Sequence, residues 1–187
     1  EKNLIETESM PYKTALGHVY DSGNFKKNLQ DCLDKSNYYS VEIRKKSSLK
    51  KDKFRGIGIS TYIEACGGGG PESASVTVSK NGSIEVKIGT QSNGQGHATS
   101  YAQIVSEILD IDIEQIEIIQ GNSKEISTGS GTGGSRSMPV GGSALYKATK
   151  EFLNKSKNII ASHQSINTNN LSYEKGFFKY QKKSFSL

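Results

Sequence analysis

An α+β fold, a mixed β-sheet with hairpins and packed helices, is predicted by three features of this sequence. Val76 and Val78, then Ile84, Val86 and Ile88, alternate with polar residues on either side of Asn81-Gly82, a two-strand pattern around a turn. Ala98, Tyr101, Ala102, Val105, Ile108 and Leu109 recur at helical spacing and give one buried face. Finally, two glycine-rich stretches, 89–97 and 129–137, each lie between a strand-like run and a helix-like run. That is where an α/β protein can present bare backbone N–H groups and a helix N-terminus to an anion.

Residues 11–23 are turn-rich and read as an extended surface arm. A helix begins near Asn24, with Phe25, Leu29, Cys32 and Leu33 on one face and Ser22 or Asn24 as its cap. Residues 38–49 predict a second, strongly basic helix containing Arg44, Lys45 and Lys46. No aromatic stacking platform accompanies these charges, so they read as a solvated face rather than a nucleic-acid surface. Small and β-branched residues at 56–63 predict a buried strand ending at Glu64, followed by a flexible run, Gly67 to Gly70, stopped by Pro71.

Past the hairpin and the first glycine loop comes the helix from Ala98, then a short strand at Ile116, Ile118 and Ile119. The second loop leads to another helix from Pro139, marked by Ala144, Leu145, Ala148, Phe152, Ile159 and Ile160. Leu171, Tyr173, Phe177, Phe178 and Tyr180 flank Lys175-Gly176 as a closing edge hairpin. The chain divides on this reading into an N-terminal arm and helical linker, 1–54, and an α+β lobe, 55–187, carrying both loops.

Composition sets the outer bounds. The 187 residues suffice for one good domain or two small lobes, and 24 basic against 19 acidic residues give a net charge of +5, mildly favourable to anionic ligands. Two cysteines, Cys32 and Cys66, form no disulfide framework and imply a reducing, cytoplasmic setting. No stretch approaches the roughly 20 apolar residues of a membrane span. Residue 1 is Glu, which leads us to expect a piece of something longer.

The chemistry concentrates in the loops. Gly94 and Gly96 let backbone approach a ligand, Gln95 offers a donor and an acceptor between them, and His97 stands at the helix start. Gly133 and Gly134 do the same in the second loop, where Thr132, Ser135 and Ser137 add hydroxyls and Arg136 adds a fork suited to phosphate oxygens. Together these groups suit a pyrophosphate. His97 has no companions for a metal site among the three histidines, and no Walker loop or nucleophile elbow is present. No catalytic set emerges: no acid is placed to orient His97, and Glu64 is a lone carboxylate.

Arg55-Gly56-Ile57-Gly58, Tyr62-Ile63-Glu64, Gly70-Pro71-Glu72, the run from Gly89 to His97, Tyr101-Ala102-Gln103-Ile104 and the run from Gly131 to Ser137 occur in this order. Met10-Pro11-Tyr12-Lys13-Thr14 and Tyr20-Asp21-Ser22-Gly23 precede them. In these motifs, from about residue 10 to 180, the chain resembles the molybdopterin-binding large subunit of the xanthine dehydrogenase, aldehyde oxidase and aerobic carbon monoxide dehydrogenase family. The resemblance implies a molybdenum cofactor, often as molybdopterin cytosine dinucleotide, used to hydroxylate aldehydes, heterocycles or CO-like small substrates. It implies electron transfer to iron-sulfur and FAD domains or subunits, and assembly with the remainder of the molybdenum subunit in a dimeric complex. Gly94, Gln95, Gly96 and His97 would contact the phosphate region, and Thr132, Gly133, Gly134, Ser135, Arg136 and Ser137 would form the second wall.

The departures are equally specific. The family's upstream substrate-side segment and its downstream Gly-Glu segment, which supplies the catalytic base, are not seen here, so this chain alone is expected to be inactive. Ala98 stands where an acidic residue is frequent, and Gly121-Asn122-Ser123-Lys124 where a Gly-Asp-Thr-Asp-like turn is frequent. Two other classes fit parts of the pattern. A small-molecule kinase or nucleotide module would use the second loop as a phosphate loop, although no carboxylate set for magnesium is apparent. A non-catalytic assembly module would use the basic run.

Overall fold

A computed structural model describes residues 1–187, which separate into two compact units, Glu1–Ile63 and Glu64–Leu187. No helix is long and apolar enough to cross a membrane.

In the first unit, the arm expected at 11–23 closes on itself as two short antiparallel strands, β1 (Tyr12–Lys13) and β2 (Val19–Tyr20). Helix α1 (Phe25–Lys35) follows, and its start matches expectation: the Asn24 side chain accepts the Lys27 amide at 3.0 Å. Helix α2 (Val41–Leu49) is preceded by one tight turn, Tyr38–Ser40. The strand expected at 56–63 does not form. These residues are exposed and pair with no strand, and Tyr62 and the neighbouring Phe54 are almost wholly in solvent. Their pattern describes a segment able to pair in a sheet, and without ladder hydrogen bonds that propensity produces no strand.

The second unit carries both loops. Strands β3 (Ala74–Val78) and β4 (Ile84–Ile88) pair antiparallel, Val76 opposite Val86. Only Gly82 in the connecting turn has positive φ. Asn81 instead uses its side chain to accept the Ser83 amide at 3.1 Å, so the turn is wider than the two-residue form its sequence favours. The chain leaves β4 through the first loop, runs up α3 (His97–Leu109) and returns in β5 (Ile116–Gln120), parallel to β4. This strand–helix–strand crossover puts the first loop at the C-terminal end of β4.

The register aligns Val76, Val86 and Ile118 on one face of the sheet, against which α3 and α4 (Ser143–Gln164) pack. Ile84, Val86, Ile88, Tyr101, Val105, Leu109 and Leu145 make the core there, their alternation and helical spacing being those read in the sequence. The helix expected from Pro139 begins with one wide π-type turn, Ser137–Gly142, before α4 proper. Lys175 and Gly176 both take positive φ and join β6 (Ser172–Glu174) to β7 (Phe177–Tyr180). A third strand, β8 (Lys183–Ser186), completes the closing sheet beyond the hairpin expected.

Tyr173 ties this sheet to the main core, its hydroxyl donating to the Leu109 carbonyl at 2.6 Å. Burial, reinforced by the Asp110 carboxylate, pushes the Tyr173 phenol up to about 12. The neutral phenol is therefore favoured in the folded state, and its contribution is complete below pH of about 10 and lost as pH rises toward about 12. We expect the urea midpoint to fall across that window, and Tyr173→Phe to flatten the fall. An unchanged profile in the variant would assign the alkaline loss elsewhere.

Candidate cofactor site

Both loops meet at one atom. The Gln91 carbonyl, two residues past β4's glycine exit, lies 3.2 Å from His97 Nδ1 and accepts the Thr132 hydroxyl at 2.6 Å. A carbonyl can only accept, so His97 donates to it from Nδ1. Thr132 Oγ1 is also 3.0 Å from Ser137 Oγ. One carbonyl thus binds the first loop, the second loop and the start of α3 together.

Below this point lies a buried polar layer. Thr90 and Tyr101 share a hydrogen bond of 2.7 Å between their hydroxyls, and the Tyr101 hydroxyl reaches the Ser137 carbonyl at 3.3 Å. Burial raises the Tyr101 pKa above its ordinary value, against the opposing pull of those hydrogen bonds, so the phenol stays a donor. Thr90 and Tyr101 are fully buried, and together they fix both loops to the helical layer.

Two glycines account for the close approach of the loops. A Cβ on Gly89 would meet Glu72 Oε1 at 2.2 Å and the Gly129 Cα at 2.8 Å, and one on Gly129 would meet the same carboxylate oxygen at 2.6 Å. The two backbones therefore pack against each other with a carboxylate beside them. No other residue type fits either place.

Of the residues expected to touch a ligand, one group faces outward. Gly94 and Gly96 have open space where a side chain would project, and so does Gly133. Gly96 caps α3 without any side-chain acceptor, and the first helical bond runs from the Ser100 amide to the Gly96 carbonyl. The amides of His97, Ala98 and Thr99 therefore have no intrahelical partner and point out of the helix start. Gln95 is exposed, with its Oε1 turned to the Ser92 hydroxyl at 3.3 Å and its NH2 left to donate.

The other group, Thr132, Arg136 and Ser137, expected to form the second wall, turns its side chains inward. The Thr132 hydroxyl joins the loops through the Gln91 carbonyl, and the Ser137 hydroxyl is paired with that of Thr132. Arg136 is 4% exposed, and each of its five N–H donors has an acceptor within the protein. Ser135, at positive φ, donates its hydroxyl to Glu64 at 2.8 Å, which gives that carboxylate a loop-bracing role. Gly134 lies against Gly68, whose amide donates to the Gly134 carbonyl at 3.0 Å.

A third glycine segment, 67–71, and Glu72 thus belong to the site, although neither was among the expected ligand-contact residues. Glu72 accepts Arg136 Nη1 at 2.7 Å, and its side chain is fully buried. The sequence signal was the mismatch between a flexible glycine run and the charged residue directly after it. Beside the loops, a cleft of about 330 Å³ opens between Gln91, Gly121, Asn122, Thr128 and Gly131. Its size falls within the range of small-molecule sites. No three His, Cys, Asp or Glu side chains converge anywhere in the chain.

The chain is similar to known proteins. Residues 31–187 match the molybdopterin cofactor-binding domain. The carbon monoxide dehydrogenase large chain of Hydrogenophaga pseudoflava is 33% identical over 192 residues, spanning 95% of this chain and 24% of that protein. Among solved structures, the Cu,Mo-CO dehydrogenase in its carbon monoxide reduced state superposes with a TM-score of 0.61 at 32% identity, over 99% of this chain and 26% of that one. Quinoline 2-oxidoreductase from Pseudomonas putida 86 shares the fold, with a TM-score of 0.66 at 22% identity over 96% and 24% of the two chains. The chain spans about a quarter of the length of the first of these relatives.

Proposed function

The chain belongs to the molybdopterin cofactor-binding domain family, and from that premise we propose that it forms part of the grip on a molybdopterin dinucleotide within a larger molybdenum hydroxylase. One observation carries the reading. Two glycine loops converge on the Gln91 carbonyl while the donors beside them, the Gln95 amide and the first-turn amides of α3, stay free. Such donors fit an anionic, phosphate-bearing group.

In this reading Gly94, Gln95, Gly96 and the first turn of α3 hold the phosphates, and Gly133, Gly134 and Ser135 line the opposite side. Thr132, Arg136 and Ser137 shape that side from within. A nucleotide end, as in the cytosine dinucleotide form, has room in the adjoining cleft. When bound, the molybdenum centre supplies oxidative hydroxylation of an aldehyde, a heterocycle or a CO-like molecule. Iron-sulfur and FAD partners would accept the electrons, and the assembly would be cytoplasmic.

The residues of this chain bind and orient, and none of them is assigned to proton transfer. The test is direct. In the assembled protein, Gln95→Ala should lower bound molybdenum and acid-released nucleotide about five- to tenfold, the loss of one or two hydrogen bonds to a charged group. Unchanged contents of both would remove Gln95 from the site.

A further inference from the structure

We propose that Arg136, paired with Glu72, is the positioning residue that holds the second loop open for the cofactor before the cofactor arrives. The inference rests on the reading above of the two loops as a cofactor grip. Its basis is a complete donor count. Arg136 Nε donates to the Gly68 carbonyl at 3.2 Å, and Nη1 donates to Glu72 Oε2 at 2.7 Å and the Gly131 carbonyl at 2.6 Å. Nη2 donates to the carbonyls of Gly70 at 2.9 Å and Pro71 at 3.2 Å.

A guanidinium has five N–H donors, and here all five are matched to five oxygens on two loop segments. Glu72 Oε2 takes the Ser130 amide as well, at 3.3 Å, and Ser130 Oγ donates to the Pro71 carbonyl at 2.8 Å. Backbone bonds from Gly67 to Ser135 and from Gly68 to Gly134 run alongside. Segments 67–72 and 129–136 are thus one unit built around one cation.

This arrangement separates holding from binding. Glycine-rich backbone gains little order from its own side chains, so a loop of this composition would sample many conformations if left alone. The buried pair selects one of them, and the ordering entropy is then met on folding rather than on cofactor binding. Lysine cannot replace it, because three donors on a point charge leave two of the five acceptors unmatched.

The test uses the whole subunit in its assembly, in cofactor-free and loaded forms, with three variants: Arg136→Gln, Arg136→Lys and Gln95→Ala. In the cofactor-free protein, amide exchange at Gly67, Gly68 and Ser130 should quicken about tenfold or more in Arg136→Gln, with Val86 and Val105 unchanged. Arg136→Lys should fall between Arg136→Gln and the unaltered protein, and it carries the same readout should Arg136→Gln unfold. Bound molybdenum and pterin should drop in the same order. Gln95→Ala should lower cofactor content with those amides as slow as in the unaltered protein. Unchanged exchange in both Arg136 variants overturns the proposal, and so do quickened amides with full cofactor content. An unaltered protein that carries no molybdopterin overturns the underlying reading instead.

Discussion

Gly89→Ala should destabilise the second unit by about 3–5 kcal/mol, the range for breaking a buried ion pair. The added methyl group would lie 2.2 Å from Glu72 Oε1 and 2.8 Å from the Gly129 Cα, so either the carboxylate or the facing backbone has to move. Moving the carboxylate strands the Arg136 charge in a nearly solvent-free place. Moving the backbone separates the loops that the Gln91 carbonyl joins. Gly89 does not have positive φ, so the cost is one of contact and not of conformation. Gly133→Ala, with open space around it, serves as the control and should change stability by less than about 0.5 kcal/mol. Urea unfolding of the two variants checks both expectations, and equal midpoints would show that the loop junction yields easily.

A second large effect is expected far from the loops. Phe178 is wholly buried with Ala161 of α4 and Leu171, and its ring centroid is 4.7 Å from that of Tyr173. Truncating it to alanine removes the wedge between α4 and the closing sheet, at a cost of about 3–5 kcal/mol. Cofactor content at low temperature should be unaffected, since no loop residue belongs to this cluster. The combination of a large midpoint shift with full loading distinguishes the closing sheet, a stabilising element, from the loop junction. A loss of cofactor as large as that of Gln95→Ala would merge the two roles.

Much of this was legible in the sequence because it is local. The Asn24 cap, the face of α3 and the alternation of β3 and β4 each depend on residues close in the chain, and spacing alone reports them. The two loops were legible for the same reason, as glycine runs between a strand and a helix. What escaped depends on distant partners. Residues 56–63 have a strand's composition, yet composition cannot say whether a partner strand is present. Arg136 has a phosphate-binding residue's chemistry, but its availability depends on Glu72 and three carbonyls more than 60 positions earlier. Turns show the contrast on a small scale. Lys175-Gly176 takes the two positive φ values that Asn81-Gly82 favours more strongly, because the longer connection around Asn81 is held by its own side chain.

The Glu72–Arg136 pair has a consequence in time as well as in space. The partners are 64 residues apart, and the span between them contains β3, β4, α3 and β5. Closing so long a span costs chain entropy, and folding of the enclosed elements shortens the path. During synthesis the second loop cannot close until Arg136 has emerged. By then every residue of β3, β4, α3 and β5 has been made, and α4, which packs on that sheet, follows directly.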